Sequence, residues 1–544
     1  MDVRFLGLVV ALVLVGWMEA APAATAQRFY PDDPIWEDPD RMDMPAPEAH
    51  GVPDGPDPIG ILASVFGQAG NHTGPAVNVN TVEGVPNSSW YTNRHYHDRL
   101  SLDALARGPN TRRPPDTSAA WTVLRVDEAN GLPHAVVRDG ADRTYRLWVD
   151  HRRHPELATG AAMIGSRLLH ALGYNVPEHW LMRIRPNRLT AAADTVVQTG
   201  TVRKQIFGEA RADSTGRFRV LLTRLPGAVR RIGPFAFHGT RPDDANDIFP
   251  HEARRELRGL RVAAAWINHS KIHPSRTMDV LVTEDDRKFV RHYLTRLTTV
   301  LGSGGARPKR KWSGHEHILE IRAVLTRMGT LGLSGGGWME ATAPDLRGVG
   351  HIESEQFRPG AWRPEAPNPA FERCDSTDAF WAARQIAAFT AAEIRAVVET
   401  AEYSNPQTTD YLVRTLRERQ RAIARAYLGY GGGIDRFAVQ GDSLRFVDLL
   451  ARHDLAPAAT SRTVTWHVFD NEADRVRRRL RRVRSPREAL RLPSASPPFL
   501  RAVIETPGQG TTAVYLRRQN EGRYAVVGRE LEPQRRPPLI QARE

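Results

Sequence analysis

The spacing of apolar residues changes near residue 150, and that change restricts the chain to folds in which a sheet and helices share a core. Trp121–Val126, His134–Val137 and Thr144–Val149 are short runs of β-branched and aromatic residues divided by Gly, Asn and Asp. Such runs read as strands joined by turns. Directly afterwards Leu157, Met163, Ile164, Leu168, Leu169 and Leu172 recur near helical spacing, and Gly173 supplies the stop. The class is α+β.

The same reasoning extends along the chain. Val196–Thr201 and Phe218–Leu225 read as further strands. Pro250 and His251 open a long helix to Trp266, with Leu257, Leu260, Ala264 and Ile267 inward and Arg254, Arg255, Arg258 and Arg261 toward solvent. Met278–Val282 and Lys288–Leu294 flank Glu284-Asp285-Asp286-Arg287 as a hairpin. Residues 302–375 are rich in Gly and Pro and read as long loops with one helix near 315–329. Thr390 and Glu393 form a capping box for a helix to about Tyr403, and another helix spans about 407–428 and stops at Gly429–Gly433. Val464–Phe469, Phe499–Glu505, Thr511–Arg518 and Tyr524–Val527 make a C-terminal β module.

At the other end, Phe5 to Val15 is an unbroken apolar run behind Arg4, followed by Ala24-Thr25-Ala26. That is the pattern of a cleaved export leader, shorter than the ~20 residues of a bilayer span. Asp2 works against the positive flank, which keeps a retained anchor as the alternative. Periplasmic or secreted placement is therefore the expectation. Export favours disulfides, yet Cys374 is the sole cysteine, so no intrachain bridge can form and the core must hold by packing. Net charge is +13, which favours anionic partners.

Residues 27–60 alternate Asp and Pro as an extended arm. The layout is then a leader at 1–26, an arm and irregular region at 27–120, a β-rich lobe at 121–240, a helical lobe at 241–435 and a β module at 436–544.

The sharpest local signal follows the long helix. It ends in Asn268-His269-Ser270-Lys271-Ile272-His273-Pro274-Ser275-Arg276, and the hairpin ends in Tyr293-Leu294-Thr295-Arg296. Kinase-like proteins place His-x-Asp-x-Lys-x-x-Asn after such a helix and Asp-Phe-Gly after such a hairpin, because one Asp orients the attacking hydroxyl while the Asn and the second Asp hold Mg²⁺. Several longer blocks point the same way. They include Val77-Asn78-Val79-Asn80-Thr81, Ser88-Ser89-Trp90, Ala158-Thr159-Gly160-Ala161 and Gly233-Pro234-Phe235. Pro250-His251-Glu252 and Val290-Arg291-His292-Tyr293-Leu294 extend the series. On these blocks the chain resembles uncharacterised exported bacterial proteins with an atypical protein-kinase-like core, over most of residues 30–430. The resemblance implies a two-lobed core, with a β-rich N-lobe and a helical C-lobe.

The resemblance also implies which positions should carry catalysis, and the chain departs from them. His269 matches. The orienting Asp is Lys271, the loop Lys is His273, the metal-binding Asn is Arg276 and the second metal-binding Asp is Arg296. The nucleotide-binding Lys aligns with Trp148 and its helical Glu partner with Ala162. A unit positive charge about 4 Å from a divalent ion repels it by roughly 8 kcal/mol at an effective dielectric of ~20. Two arginines at the metal positions therefore exclude Mg²⁺, and the implied protein is a pseudokinase that needs no cofactor or metal. Arginine forks bind phosphate or carboxylate directly. His269, Lys271, Arg276 and Arg296 are accordingly the expected lining of an anion-binding cleft, unless Asp243, Asp247 or Asp279 neutralise them. The reading is a binding or scaffold protein for an unidentified protein or small anion. The alternative is an atypical kinase or nucleotidyl-transferring enzyme with substituted residues.

Other signals are weaker. Seven arginines lie within 475–484. They read as a solvated helix face, with contact to an anionic membrane or envelope polymer as the functional alternative. Missing aromatic interleaving disfavours nucleic acid. His315-Glu316-His317, the pair His95 and His97, and His251 with Glu256 fall short of a three- or four-ligand zinc set. Asp243-Asp244-Ala245-Asn246-Asp247 lacks the Gly and distal Glu of a calcium loop. No Walker motif occurs.

Overall fold

The computed structural model describes residues 27–48, 74–192, 198–224, 228–316, 344–459, 461–520 and 522–532. By internal contacts the chain divides into two units. One holds residues 35–430 and 449–457; the other holds the segment before Ile35, residues 431–448 and residues 458–534.

The larger unit opens, after helix α1 (Leu102–Arg107), with the antiparallel meander β1 (Trp121–Ala129), β2 (Leu132–Arg138) and β3 (Thr144–Val149). Helix α2 (Leu157–Ala171) leads to β4 (Glu178–Ile184) and β5 (Leu189–Ala191). Helix α3 (Thr199–Phe207) and β6 (Phe218–Arg224) follow. The six strands lie in the order β4-β6-β3-β2-β1-β5, with β1 and β5 parallel and the other pairs antiparallel. Tyr145, Leu147 and Val149 alternate along β3 into a core with Trp121, Val137, Val220 and Leu222. Arg146 and Trp148 occupy the intervening positions, on the opposite face. Nearly every residue of α2 is buried. Its Gly165 admits Val300, and a Cβ there would sit 2.7 Å from Val300 Cγ2.

A second sheet consists of β7 (Ala228–Gly233), β8 (Thr277–Glu284) and β9 (Arg287–Leu294) in that order. The hairpin turn is where the sequence places it. Asp285 and Asp286 adopt φ of 46° and 60°, the left-handed pair that two-residue turns require and that Asp tolerates. Helix α4 (Arg255–Trp266) lies between β7 and β8 in sequence. Helices α5 (Pro369–Glu372), α6 (Ser376–Ala387), α7 (Ala391–Glu399) and α8 (Pro406–Tyr427) complete this unit's main elements. The capping box at Thr390 and Glu393 is present as read.

Three readings need correction. Of the strand read at Val196–Thr201, the described part is helical: α3 begins at Thr199, and Val202 and Ile206, one turn apart, bury with Phe207 against the large sheet. Packing of that face overrides the weak strand preference of Thr199, Thr201 and Val202. Second, α4 starts at Arg255, after a short 3₁₀ turn at His251–Ala253, and of the four arginines placed toward solvent only Arg261 is partly exposed. Arg254, Arg255 and Arg258 are fully buried. Arg254 Nη2 donates to Asp247 Oδ1 at 3.0 Å, and Arg255 Nε donates to Asp378 Oδ1 at 3.1 Å. Arg258 Nη1 lies 3.6 Å from Asp378 Oδ2. Buried charges persist only when paired in this way. Around them Trp90 stacks on His292 at 3.5 Å, and His292 Nδ1 lies 2.7 Å from Asp279 Oδ1. The helix placed near 315–329 falls largely outside the described residues.

The third correction lies in the smaller unit. Its main sheet runs β13-β12-β15-β16-β17, and a second runs β10-β11-β14. The ranges are β10 (Ile434–Gln440), β11 (Ser443–Asp448), β12 (Arg462–Asp470), β13 (Arg475–Ser485), β14 (Ala489–Arg491), β15 (Phe499–Thr506), β16 (Gly510–Arg518) and β17 (Tyr524–Glu532). The arginine run is therefore the edge strand β13, not a helix face. Leu480 and Val483 pack partly on the core, which anchors it as a strand. A charged edge also discourages pairing with other chains. Residues 27–34 belong to this unit. Phe29 packs against Phe469 and Tyr515, and Asn471 Oδ1 accepts from the Phe29 N–H at 2.8 Å.

Candidate functional site

The loop after α4 begins with strain. Asn268 adopts φ of 48°, and its Oδ1 accepts from Trp362 Nε1 at 3.3 Å. The chain then passes through His269 to Arg276 and enters β8. After β9, the Thr295 N–H donates to Arg276 O at 2.7 Å, which ties the two loops together. Arg296 sits at φ of 55°, capping a 3₁₀ turn at Leu297–Thr299. A bulky residue held in the left-handed region costs of order 1–3 kcal/mol, so its surroundings must enforce it.

The loops gather positive charge. Burial pushes the His273 imidazole down to about 3, with Arg276, Arg296 and Lys271 adding to the effect. Burial holds His269 far below the ordinary histidine value, helped by Lys309, Arg276 and His273. Arg276 is pushed down to about 10, first by burial and then by Arg296. Its Nη2 donates to Asn130 Oδ1 at 2.8 Å, whereas its buried Nε and Nη1 have no partner. Lys271 is lowered by burial, against the raising effect of Glu365.

The three acids weighed as neutralising partners act elsewhere. Asp279 faces His292 and Arg241, Asp243 faces Arg241, and Asp247 faces His251 and Arg254. Glu365 is the carboxylate that acts on Lys271 and Arg276.

A cavity of about 220 Å³ opens beside Arg296. Arg125 from β1, Arg146 from β3, Arg231 from β7 and Arg296 line it, together with Trp148 and Thr277. No Asp or Glu is among the lining residues. Arg125 Nε donates to Asp127 Oδ2 at 2.6 Å. His134 stacks on Trp148 with ring centres 4.4 Å apart and is pushed down to about 4 by burial and then Arg146. Of the residues singled out in the sequence, Arg296 and Trp148 reach this cavity. His269, Lys271, His273 and Arg276 lie in the adjoining loop, and Ala162 is buried in α2. Arg125, Arg146 and Arg231 were missed. Period-two alternation along β3 marks Arg146 as lying opposite the core; nothing local marks Arg125 or Arg231.

Among the described residues no three His, Cys, Asp or Glu side chains are grouped to hold a metal. His315 is described, but His317 is not. His95 Nε2 lies 3.5 Å from Glu393. Burial pushes the Cys374 thiol up to about 12, the behaviour of an unreactive structural thiol. No described helix is long and apolar enough to cross a membrane. Comparison of the chain with protein-family models, curated proteins and solved structures returned no match.

Proposed function

We propose that the chain is an exported, pseudokinase-like binding protein that holds an anion in its arginine-lined cleft without Mg²⁺. The observation that carries this reading is a cavity with four arginines and no carboxylate in its wall. Each guanidinium offers a planar pair of donors that matches phosphate or carboxylate oxygens. The element order supports the kinase-like part of the reading: a strand-rich half containing Trp148 and α2 precedes the helix, loop and hairpin that carry Arg276 and Arg296. Export rests on the leader pattern, and the absence of phosphoryl transfer rests on the substituted positions.

Calorimetric titration of inorganic phosphate, ADP and ATP in EDTA and in Mg²⁺ tests the proposal. Binding should persist in EDTA. Arg296→Ala and Arg231→Ala should each weaken it about 10- to 100-fold, the effect of losing a charge-assisted hydrogen bond. Binding that requires Mg²⁺ or Mn²⁺, or ATP turnover lost in Arg296→Ala, would replace this reading with the atypical-enzyme alternative. Absence of binding in every arm would end both the anion-site and the nucleotide readings.

A further inference from the structure

A second constellation lies on the other side of the 268–276 loop. Ser270 Oγ is 2.7 Å from Ser313 Oγ and 2.7 Å from Lys309 Nζ. Lys309 Nζ also donates to Asn268 O at 2.9 Å. All three side chains are buried. Ser313 lines a cavity of about 190 Å³ together with Asn268, His315, His351, Trp362 and Arg419. Among these three residues, only Ser313 borders that space.

We propose that Ser313 is an acyl-transfer nucleophile, activated through Ser270 by the Lys309 amine, and that it takes a short-chain carboxylic ester. Serine–lysine pairs are an established variant of the serine–base arrangement. The cavity volume corresponds to roughly six waters at ~30 Å³ each, which suits a small acyl group. This site is separate from the arginine-lined cleft and does not depend on that reading.

The chemistry follows from the hydrogen bonds. A neutral Lys309 amine gives one N–H to Asn268 O and turns its lone pair to the Ser270 hydroxyl. The Ser313 proton passes to Ser270 Oγ as the Ser270 proton passes to Lys309 Nζ, and Ser313 Oγ bonds to the ester carbonyl carbon. Collapse of the adduct breaks the bond to the alcohol oxygen, which recovers the proton through Ser270. Water then attacks the acyl-serine by the same relay, breaking the Ser313 ester and releasing the carboxylic acid.

The surroundings favour the neutral amine. Burial pushes Lys309 down to about 7, and Lys271, Arg276 and Arg419 act in the same direction. His269 is also close enough to interact with it electrostatically. Glu365 opposes them. Its Oε1 accepts from Ser270 at 3.0 Å and from Ser313 at 3.2 Å. With Lys309 protonated, those two bonds hold both hydroxyls in a resting arrangement, so activity rises with pH.

The test uses p-nitrophenyl acetate as the probe, with intact mass and peptide mapping of the adduct. The mature chain should acquire one acetyl group, on Ser313, at a rate that rises through pH of about 7. Ser313→Ala should abolish the adduct. Ser270→Ala and Lys309→Met should slow it 10²-fold or more, the usual size of a general-base effect. If Lys309→Met does not fold, Ser313→Ala and the wild-type pH profile remain decisive. Neither adduct nor p-nitrophenol release on the folded wild type, an adduct mapped to another residue, or an unchanged rate in Ser313→Ala would overturn the proposal.

Discussion

Substituting Asp247 by Asn leaves the shape of the side chain and removes its charge, which isolates the electrostatics of the buried arginines. The native carboxylate takes three donors: His251 Nε2 at 2.6 Å, Arg254 Nη2 at 3.0 Å and the Arg241 N–H at 2.7 Å. His251 first, then Arg254 and His292, hold its pKa well below the usual carboxylate range despite burial. An Asn keeps one acceptor oxygen and turns two N–H donors toward groups that already donate. It also leaves the fully buried Arg254 without its hydrogen-bonded anion, with Glu256 Oε1 at 3.7 Å as a more distant acidic neighbour. Removing one partner of such a pair costs about 3–5 kcal/mol. With an m-value of ~3 kcal/mol/M, the urea midpoint should fall by roughly 1 M or more. Tryptophan fluorescence is the suitable assay. Of the twelve tryptophans, all but Trp17 and Trp466 fall between residues 35 and 430, so the signal reports the larger unit. The double variant Asp247→Asn with Arg254→Met should lose less than the two single losses added, because the uncompensated charge has gone as well. A single variant within ~1 kcal/mol of wild type, or a strictly additive double, would refute the reasoning.

Two buried histidines of the larger unit should each weaken it in acid, against the opposite contribution of Asp38 and Asp378, whose carboxyls burial raises to about 6. His170 and His179 are both pushed down to about 3, chiefly by burial. Below the unfolded value near 6.5 the unfolded chain takes up protons that the folded chain refuses, so each contributes a loss of about 1.4 kcal/mol per pH unit down to the folded value. Urea midpoints at pH 7 and pH 5 check the direction, and His170→Gln should flatten the difference. Thr390→Ala removes a cap whose Oγ accepts from the Glu393 N–H at 3.3 Å and should cost ~1 kcal/mol by the same assay. Replacing Arg478, Arg479 and Arg482 by Gln should lower the salt concentration that elutes the protein from a polyanion column and leave its thermal midpoint nearly unchanged, since all three are exposed.

Periodicity made much of the fold readable. The β1–β3 meander, the β8–β9 hairpin, the capping box and the C-terminal strands follow from alternation, turn residues and caps, all of which act within a few positions. The failures involve partners far apart in sequence. Arg255 reads as a solvent-facing residue until Asp378, 123 positions later, is placed against its Nε. The arginines of β13 mask an edge strand because charged residues occupy the positions where strand alternation is normally read. The candidate cleft was legible at Arg296 and Trp148, which carry positional signals. Arg125 and Arg231 arrive from strands whose proximity only the tertiary fold decides. Ser270 was visible in the loop after α4, but Lys309 and Ser313 lie in a Gly- and Pro-rich stretch with no motif to mark them.

The pairing of Phe29 with Asn471, 442 positions apart, bears on how the protein matures. Phe29 must wait for nearly the whole chain to emerge before its β partners exist. Synthesised at ~5–20 residues per second, the roughly 100 residues after 430 take about 5–20 seconds, an interval in which residues 35–430 can begin to fold. The small β unit, built from residues 27–34 and from strands after 431, is then the last part to close.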